Sequence, residues 1–378
     1  MKENKMKKDS NFTNEVFSYT NDGFEQIIYF HNKETGLKGI SCIHDTRLGP
    51  SCGGTRFYNY ASEEEALYDV TRLARGMTYK NAAAGLDIGG CKTVIIGDPK
   101  KLKSEQFFRA YGRYIQSLNG RLYTGQDMNI TLQDCEFMDR ETDYVSGVLR
   151  KGAGSTTILT AKGTYVGMLA AVKRKFKQDN LDGLIIGFQG VGAVVQEMVQ
   201  YLKESDLKRI YFTDIDEEKI KQFKELMPLA NFVEPDEFFN KNMDVFSPNA
   251  IGAVLNDDTI PKLTAKVVAG AANNVLKNEE KHGKMLEDKG ILYAPDFVIN
   301  AGGVINVYHE MIGYHEPSAI NTTEGIYDRL MDIFEISEKE NMPTYKAANI
   351  MAERRIEKNI KMRGDYVKSR PKFKWNIE

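Results

Sequence analysis

The stretch LIIGFQGVGAVVQEMVQYLKES, residues 184–205, decides the fold. Its opening run, LIIGF, is apolar without alternation and reads as a strand buried on both faces. The run passes into Gly190-Val191-Gly192, after which AVVQEMVQYL carries apolar residues at helical spacing. Strand, glycine pair and helix in that order make a phosphate-binding turn. The first glycine permits the tight bend, and the second lets backbone N–H groups approach a pyrophosphate at the helix N-terminus. Ala193 and Val194 open the helix and belong to the same turn. The next strand, RIYFTD (209–214), closes on Asp214, near the place of an acid that binds adenosine ribose hydroxyls. Asp216 adds negative charge and no arginine follows closely, so a 2′-phosphate is repelled and NAD is favoured over NADP. Val195 stands where a third glycine or alanine would let the helix pack closest to the sheet.

Outward from this turn the alternation continues. Helix 217–227, strand 244–248 and strand 266–272 follow, the pattern of a parallel sheet with helices on both faces. A helix over 156–176 precedes the turn, behind the polar joint RKGAGSTT (150–157), and helices over 318–339 and 343–362 close the chain. The first half has a different texture. EQIIYFH (25–31) and LKGISCIH (37–44) read as strands joined by NKETG. Residues 61–77 read as a helix with Ser62 as N-cap and Glu65 reaching back, 92–99 as a short strand, and 104–120 as an amphipathic helix. The expected fold class is α/β with two domains separated by a cleft. Residues 1–150 form an N-terminal α/β domain, joined by the C-terminal helices of about 320–378. Residues 151–320 form a Rossmann-type dinucleotide-binding domain.

Composition excludes several function classes. The 378 residues are 42% hydrophobic and 28% charged with a net charge of −2, which suits two globular domains and leaves no basic footprint for nucleic acid or an anionic membrane. The N-terminal MKENKMKKDSN has no apolar stretch behind it, and no run long enough to span a membrane exists. Cys42, Cys52, Cys91 and Cys135 lack CxxC spacing, which points to reduced thiols and a cytoplasmic location. Five histidines without an HExxH or a Cys/His cluster imply no metal.

One segment resists a bland reading. GMTYKNAAAGLDIGGCKT (76–93) embeds Lys80 and Lys92 among small residues, with Asp87 the only acid between them. An isolated lysine usually reaches water on a surface turn. Facing a dinucleotide domain, however, the small residues leave room for a ligand. Two cations in one cleft raise each other's energy, so one lysine should act as a base while the other pairs with a substrate carboxylate. Asp127, in the polar loop YTGQDMNIT (123–131), is a candidate proton carrier.

HDTRLGPSCGGTR (44–56), GMTYKNAAAGLDIGGCKTVIIGDP (76–99), TGQDMNI (124–130), QGVG (189–192), AGAANNVL (269–276) and LYAPDFVINAGGVINV (292–307) occur in the order of a known family. The chain resembles the amino-acid dehydrogenases that include leucine, phenylalanine, valine, tryptophan and, more distantly, glutamate dehydrogenases. The resemblance spans about residues 25–365. It implies NAD-dependent, reversible oxidative deamination of an L-amino acid to a 2-oxo acid and ammonia, in a homo-oligomer. It also implies that the N-terminal domain, residues 1–150, binds substrate and carries oligomerisation. By resemblance Lys80 binds the substrate α-carboxylate, Lys92 activates the attacking water, and Asp127 exchanges a proton with the amino nitrogen. Asn274 looks like the family asparagine that contacts substrate and nicotinamide, with Asn273 beside it as the second choice and a cofactor contact. Thr160 matches a threonine on the cofactor side.

Cys52, Gly53, Met77, Gly125, Val304 and Val307 match the family's substrate pocket. None is charged, so a glutamate side chain lacks a cation partner there. Cys52 and Gly125 replace larger residues of leucine dehydrogenases and widen the pocket, so branched-chain and aromatic substrates both stay open. Ala193 and Val195 depart from the family's GxGNxA turn, the proline of the interdomain joint is missing, and Asn249 replaces a common cysteine. Ala193 and Val195 motivate the alternative of a non-catalytic binding or regulatory protein with an NAD fold.

Overall fold

The computed structural model describes residues 23–148, 151–250 and 252–363; the basic N-terminal segment, Arg150 of the joint and the tail beyond 363 lie outside these. Contacts divide the chain into two compact units. One is built on the stretch up to Thr78 and on Ile88–Val145, the other on Tyr79–Asp87 and Ser146–Met362.

The first unit contains β1 (Gln26–Asn32), β2 (Leu37–Asp45), β3 (Ser51–Cys52), β4 (Thr55–Tyr58), most of α1 (Glu63–Ala83), β5 (Gly89–Ile96), α2 (Pro99–Leu102), α3 (Glu105–Ser117), β6 (Leu122–Tyr123) and α4 (Leu132–Asp139). Its sheet is mixed. The order is β1-β2-β5-β3-β6, with β4 also paired to β5. The β1–β2 hairpin and the β2–β5 pair are antiparallel, whereas β3 and β4 run parallel to β5. In the hairpin turn the Asn32 side-chain oxygen accepts from the Thr35 backbone N–H and hydroxyl, both at 3.0 Å. Ile40, Cys42, Val70, Ala74 and Val94 form a core between sheet and α1. On β4, Phe57 stacks on Phe107 of α3 at 5.3 Å. All four cysteines lie in this unit, buried and unbridged, and burial pushes the thiols of Cys42 and Cys91 up to about 12.

Helix α1 starts as expected, with the Ser62 hydroxyl accepting from the Glu65 N–H at 3.1 Å. The Glu65 carboxylate returns to the Ala61 N–H at 2.7 Å. The helix does not end at Met77. Asn81, Ala82 and Ala83 carry it one and a half turns further, alanine being the best helix former, until Gly85 adopts φ +76°. The next strand begins at Gly89 instead of Lys92. Lys80 therefore sits on a helix and Lys92 inside a strand, so neither belongs to a surface turn.

The second unit holds α5 (Thr156–Phe176), β7 (Ile185–Gln189), α6 (Ala193–Leu202), β8 (Arg209–Thr213), α7 (Glu217–Leu226), β9 (Asn231–Phe232), α8 (Pro235–Phe238), β10 (Val245–Pro248), β11 (Val267–Val268), α9 (Glu279–Asp288), β12 (Leu292–Tyr293), α10 (Asp296–Ile299), α11 (Gly302–Ile312), α12 (Glu316–Glu324), α13 (Ile326–Lys339) and α14 (Thr344–Arg363). Its six strands run in the order β12-β11-β10-β7-β8-β9, every pair parallel. This is the Rossmann-like sheet expected from the alternation. Strand 266–272 shrinks to two residues, and the helix expected over 318–339 is broken at Gly325.

The closing helices group with this unit up to Met362, where the sequence reading joined them to the first domain. Packing on α5 explains the difference. Gly163 and Gly167, four residues apart, flatten one face of α5. A Cβ at Gly163 would stand 2.7 Å from the Ile326 side chain of α13, and one at Gly167 would stand 2.9 Å from Leu330. The missing side chains let α13 lie close against α5. Among the described residues no helix is long and apolar enough to cross a membrane.

Candidate active site

The first unit gathers its polar groups around β3, β4 and β5. The loop after β6 is laced to β3 and β4 by backbone bonds: Gly53 N–H to Tyr123 O (3.1 Å), Thr55 N–H to Gly125 O (2.9 Å) and Phe57 N–H to Met128 O (3.0 Å). The Thr55 hydroxyl bonds those of Thr124 and Tyr111, each at 2.6 Å. Two glycines permit this approach. A Cβ on Gly53 would collide with the Cys91 carbonyl of β5 and lie 3.3 Å from Met77 Cγ; one on Gly54 would collide with the Gln126 carbonyl. Cys52, Gly53, Met77 and Gly125 are thus brought together with the loop that carries Asp127.

Lys92 lies in the interior of β5, its side chain only 7% exposed, with Nζ 3.0 Å from Asp127 Oδ2. A buried ammonium needs such a partner. Asp127, 29% exposed, has a second cation: Arg56 Nε lies 3.2 Å from the same oxygen. Arg56 Nη1 also contacts Asp69 Oδ2 of α1 at 2.9 Å, and the Tyr60 hydroxyl donates to that oxygen at 2.7 Å. Burial pushes the Asp127 carboxyl up, but Lys92 and then Arg56 outweigh it and hold it below its ordinary value. Sequence reading gave no role to Arg56 or Asp69; the signals for Arg56 were its place at the end of HDTRLGPSCGGTR and between the core residues Thr55 and Phe57 of a short strand.

In the second unit, Gly190, Gly192, Ala193, Val194 and Asp214 converge at the ends of β7 and β8. Gly190 has φ +86°, and its N–H donates to the Thr213 carbonyl at 2.8 Å. Asp214 Oδ2 accepts from Val191 N–H at 2.9 Å, while Oδ1 accepts from Ile215 N–H at 2.8 Å and Asp216 N–H at 3.0 Å. Gly192 caps α6 without a side-chain bond, and a Cβ there would meet nothing within 4 Å. Uncapped N–H groups beside open space fit a pyrophosphate, and a fixed carboxylate on the next strand fits a ribose. Val195 is fully buried and α6 still runs from Ala193 to Leu202, so the turn accommodates the valine.

The other expected residues of this unit lie on further elements. Lys80, half-buried in the last turn of α1, counteracts the effect of burial on Asp296, whose carboxyl is nonetheless raised and accepts from Val275 N–H at 2.8 Å. Asp87 is held by Arg355 of α14 at 2.8 Å; the same guanidinium donates to the carbonyls of Leu86 (2.6 Å) and Gly85 (3.0 Å). Asn274 adopts φ +51°, and its carbonyl accepts from Ala253 N–H at 2.7 Å. Asn273 Oδ1 accepts from Asn300, and the Thr160 hydroxyl donates to Thr156 O. These two side chains make no hydrogen bond to the glycine turn among the described residues. Val304 is buried and Val307 half-buried on α11. Among the described residues no group of three or more His, Cys, Asp or Glu side chains could hold a metal ion.

Residues 25–151 match the model of the Glu/Leu/Phe/Val dehydrogenase dimerisation domain, and residues 204–364 match that of glutamate/leucine/phenylalanine/valine dehydrogenase. The chain belongs to the Glu/Leu/Phe/Val dehydrogenase family. Leucine dehydrogenase of Thermoactinomyces intermedius is 50% identical over 355 residues, covering 93% of this chain and 96% of that one. L-Tryptophan dehydrogenase of Nostoc punctiforme is 47% identical over 334 residues, covering 88% and 94%. Its crystal structure superposes with a TM-score of 0.82, covering 91% of this chain and 99% of that one. The protein is an amino-acid dehydrogenase of the leucine/phenylalanine/tryptophan type, an oxidoreductase of the CH–NH2 bond that oxidatively deaminates an apolar L-amino acid. Members of the family use NAD or NADP.

Proposed function

We propose that the enzyme uses NAD and converts a branched-chain or aromatic L-amino acid reversibly to its 2-oxo acid and ammonia. The Lys92–Asp127 pair, a buried cation 3.0 Å from a partly exposed carboxylate, is the observation that carries the reading. Lys80 binds the α-carboxylate. Asp127 takes a proton from the substrate nitrogen, breaking an N–H bond and forming an O–H bond. The bound dinucleotide supplies the acceptor for the hydride that leaves Cα. Lys92 is the base for the water that adds to the resulting iminium carbon.

Asn274 contacts the substrate, and Cys52, Gly53, Met77, Gly125, Val304 and Val307 form uncharged walls for its side chain. Gly190, Gly192, Ala193 and Val194 hold the pyrophosphate, with Thr160 and Asn273 as further cofactor contacts. Asp214 takes the ribose hydroxyls, and its three backbone bonds fix a negative charge where a 2′-phosphate would have to sit. Residues 1–150 serve substrate binding and assembly of a homo-oligomer in the cytoplasm, and 151–320 bind the dinucleotide. Reduced-dinucleotide formation with leucine, valine, phenylalanine and tryptophan, each with NAD and NADP, tests the reading. Turnover of either class with NAD preferred is expected. No turnover in any of the eight combinations would favour the non-catalytic alternative for this chain and overturn the roles given to Lys92 and Asp127.

A further inference from the structure

Lys92 from β5 and Arg56 from β4 approach Asp127 through one oxygen, Oδ2, at 3.0 and 3.2 Å. Oδ1 has no protein partner among the described residues. Arg56 is itself fixed from behind: Asp69 on α1 accepts from its Nη1, and that same Asp69 oxygen takes the Tyr60 hydroxyl while Oδ1 holds Arg72 at 3.0 Å. Lys92 and Arg56 bear on Asp127 directly, Asp69 bears on Arg56, and Tyr60 feels both Asp69 and Asp127. Burial works against the charge of Arg56, and Asp127 and Asp69 more than offset it.

We infer that Arg56, braced by Asp69, is a positioning residue for Asp127: it pins Oδ2 and leaves Oδ1 as the oxygen that exchanges the proton with the substrate nitrogen. The inference rests on Asp127 being that proton carrier. A carboxylate held by Lys92 alone could twist about its Cβ–Cγ bond and turn its second oxygen away from the substrate nitrogen. With two cations from two strands on one oxygen, a twist strains both contacts at once. The guanidinium suits this task because its rigid fork reaches Asp69 through Nη1 and Asp127 through Nε in fixed directions, whereas an ammonium is a single point charge on a flexible stem. Its charge also keeps Asp127 ionised, ready to accept.

The test compares Arg56→Met, Arg56→Lys and Asp127→Asn in the full chain. It measures kcat and KM for the amino acid, and the titration of the Asp127 carboxyl by 13C NMR of side-chain-labelled aspartate. Arg56→Met removes one of two neighbouring cations, so the Asp127 midpoint is expected to rise by about one pH unit. Its kcat is expected to fall at least tenfold with KM within about threefold of the parent. Arg56→Lys keeps the charge and loses the fork: the midpoint stays low while kcat falls several-fold. Should Arg56→Met fail to fold, Arg56→Lys decides, and a parental kcat there overturns the inference. A parental kcat and an unmoved midpoint in Arg56→Met overturn it as well. If Asp127→Asn is inactive in the same experiment, the catalytic reading survives that failure. If Asp127→Asn turns over normally, the catalytic reading itself has failed.

Discussion

The two units build their polar surfaces from opposite materials. In the first, the groups proposed to react are side chains raised from the interior of a mixed sheet: Lys92 stands mid-strand on β5 and meets Asp127 from a loop tied to β3 and β4. In the second, the proposed binding surface is main chain, the N–H groups of a glycine turn where β7 passes into α6, with one carboxylate beside them. Proton transfer needs groups that change charge, and these must be buried, paired and held in one geometry. Binding a pyrophosphate needs only fixed dipoles, which a strand–turn–helix provides without a titratable group. The first unit accordingly depends on individual residues and the second on backbone course.

The sharpest way to break this division is Lys92→Ala. Turnover is expected to fall by about a thousandfold, within the range for loss of a general base, while fluorescence titration with NADH gives an unchanged affinity. A parallel loss of NADH affinity would show that the two units do not divide the work as described. Gly163→Leu addresses the second unit alone. The new side chain meets Ile326 of α13, and overpacking is expected to cost about 1–3 kcal/mol, seen as a lower urea midpoint. An unchanged midpoint would mean that α5 and α13 have slack between them. Asp214→Ala removes the one side chain given a part at the glycine turn. The preference for NADH over NADPH should narrow by about tenfold, or about 1.4 kcal/mol, in paired titrations. Smallest is Gly125→Ala, a single methyl added to the candidate pocket. It should lower the ratio of aromatic to aliphatic kcat/KM by several-fold, about 1 kcal/mol. A constant ratio would place the side-chain pocket elsewhere.

The second unit was the more legible of the two in sequence. Its strands are continuous apolar runs and its helices keep a regular period, so β7, α6, β8 and α7 fall within three residues of their expected bounds. What periodicity could not supply was the grouping of α12 and α13, since the small residues that seat α13 are two glycines inside a helix that otherwise reads as ordinary. In the first unit the site hangs on β3 and β6, two residues each, too short to carry any period. Motif resemblance singled out Lys92 and Asp127, and the structure pairs them. Arg56 closes the motif HDTRLGPSCGGTR, yet neither motif nor period gave it a role, because its importance comes from Asp127 and Asp69, adjacent to it only after folding.

The buried thiols give the enzyme a built-in clock. Cys42, Cys52, Cys91 and Cys135 all belong to the first unit, and the thiols of Cys42 and Cys91 are held at about 12, where alkylating reagents find almost no thiolate. In the described part of the second unit there is no cysteine to react. Pulse labelling under native conditions therefore times the opening of the unit that carries Lys92 and Asp127. Any protection that NADH or an amino acid confers would be read from that unit alone.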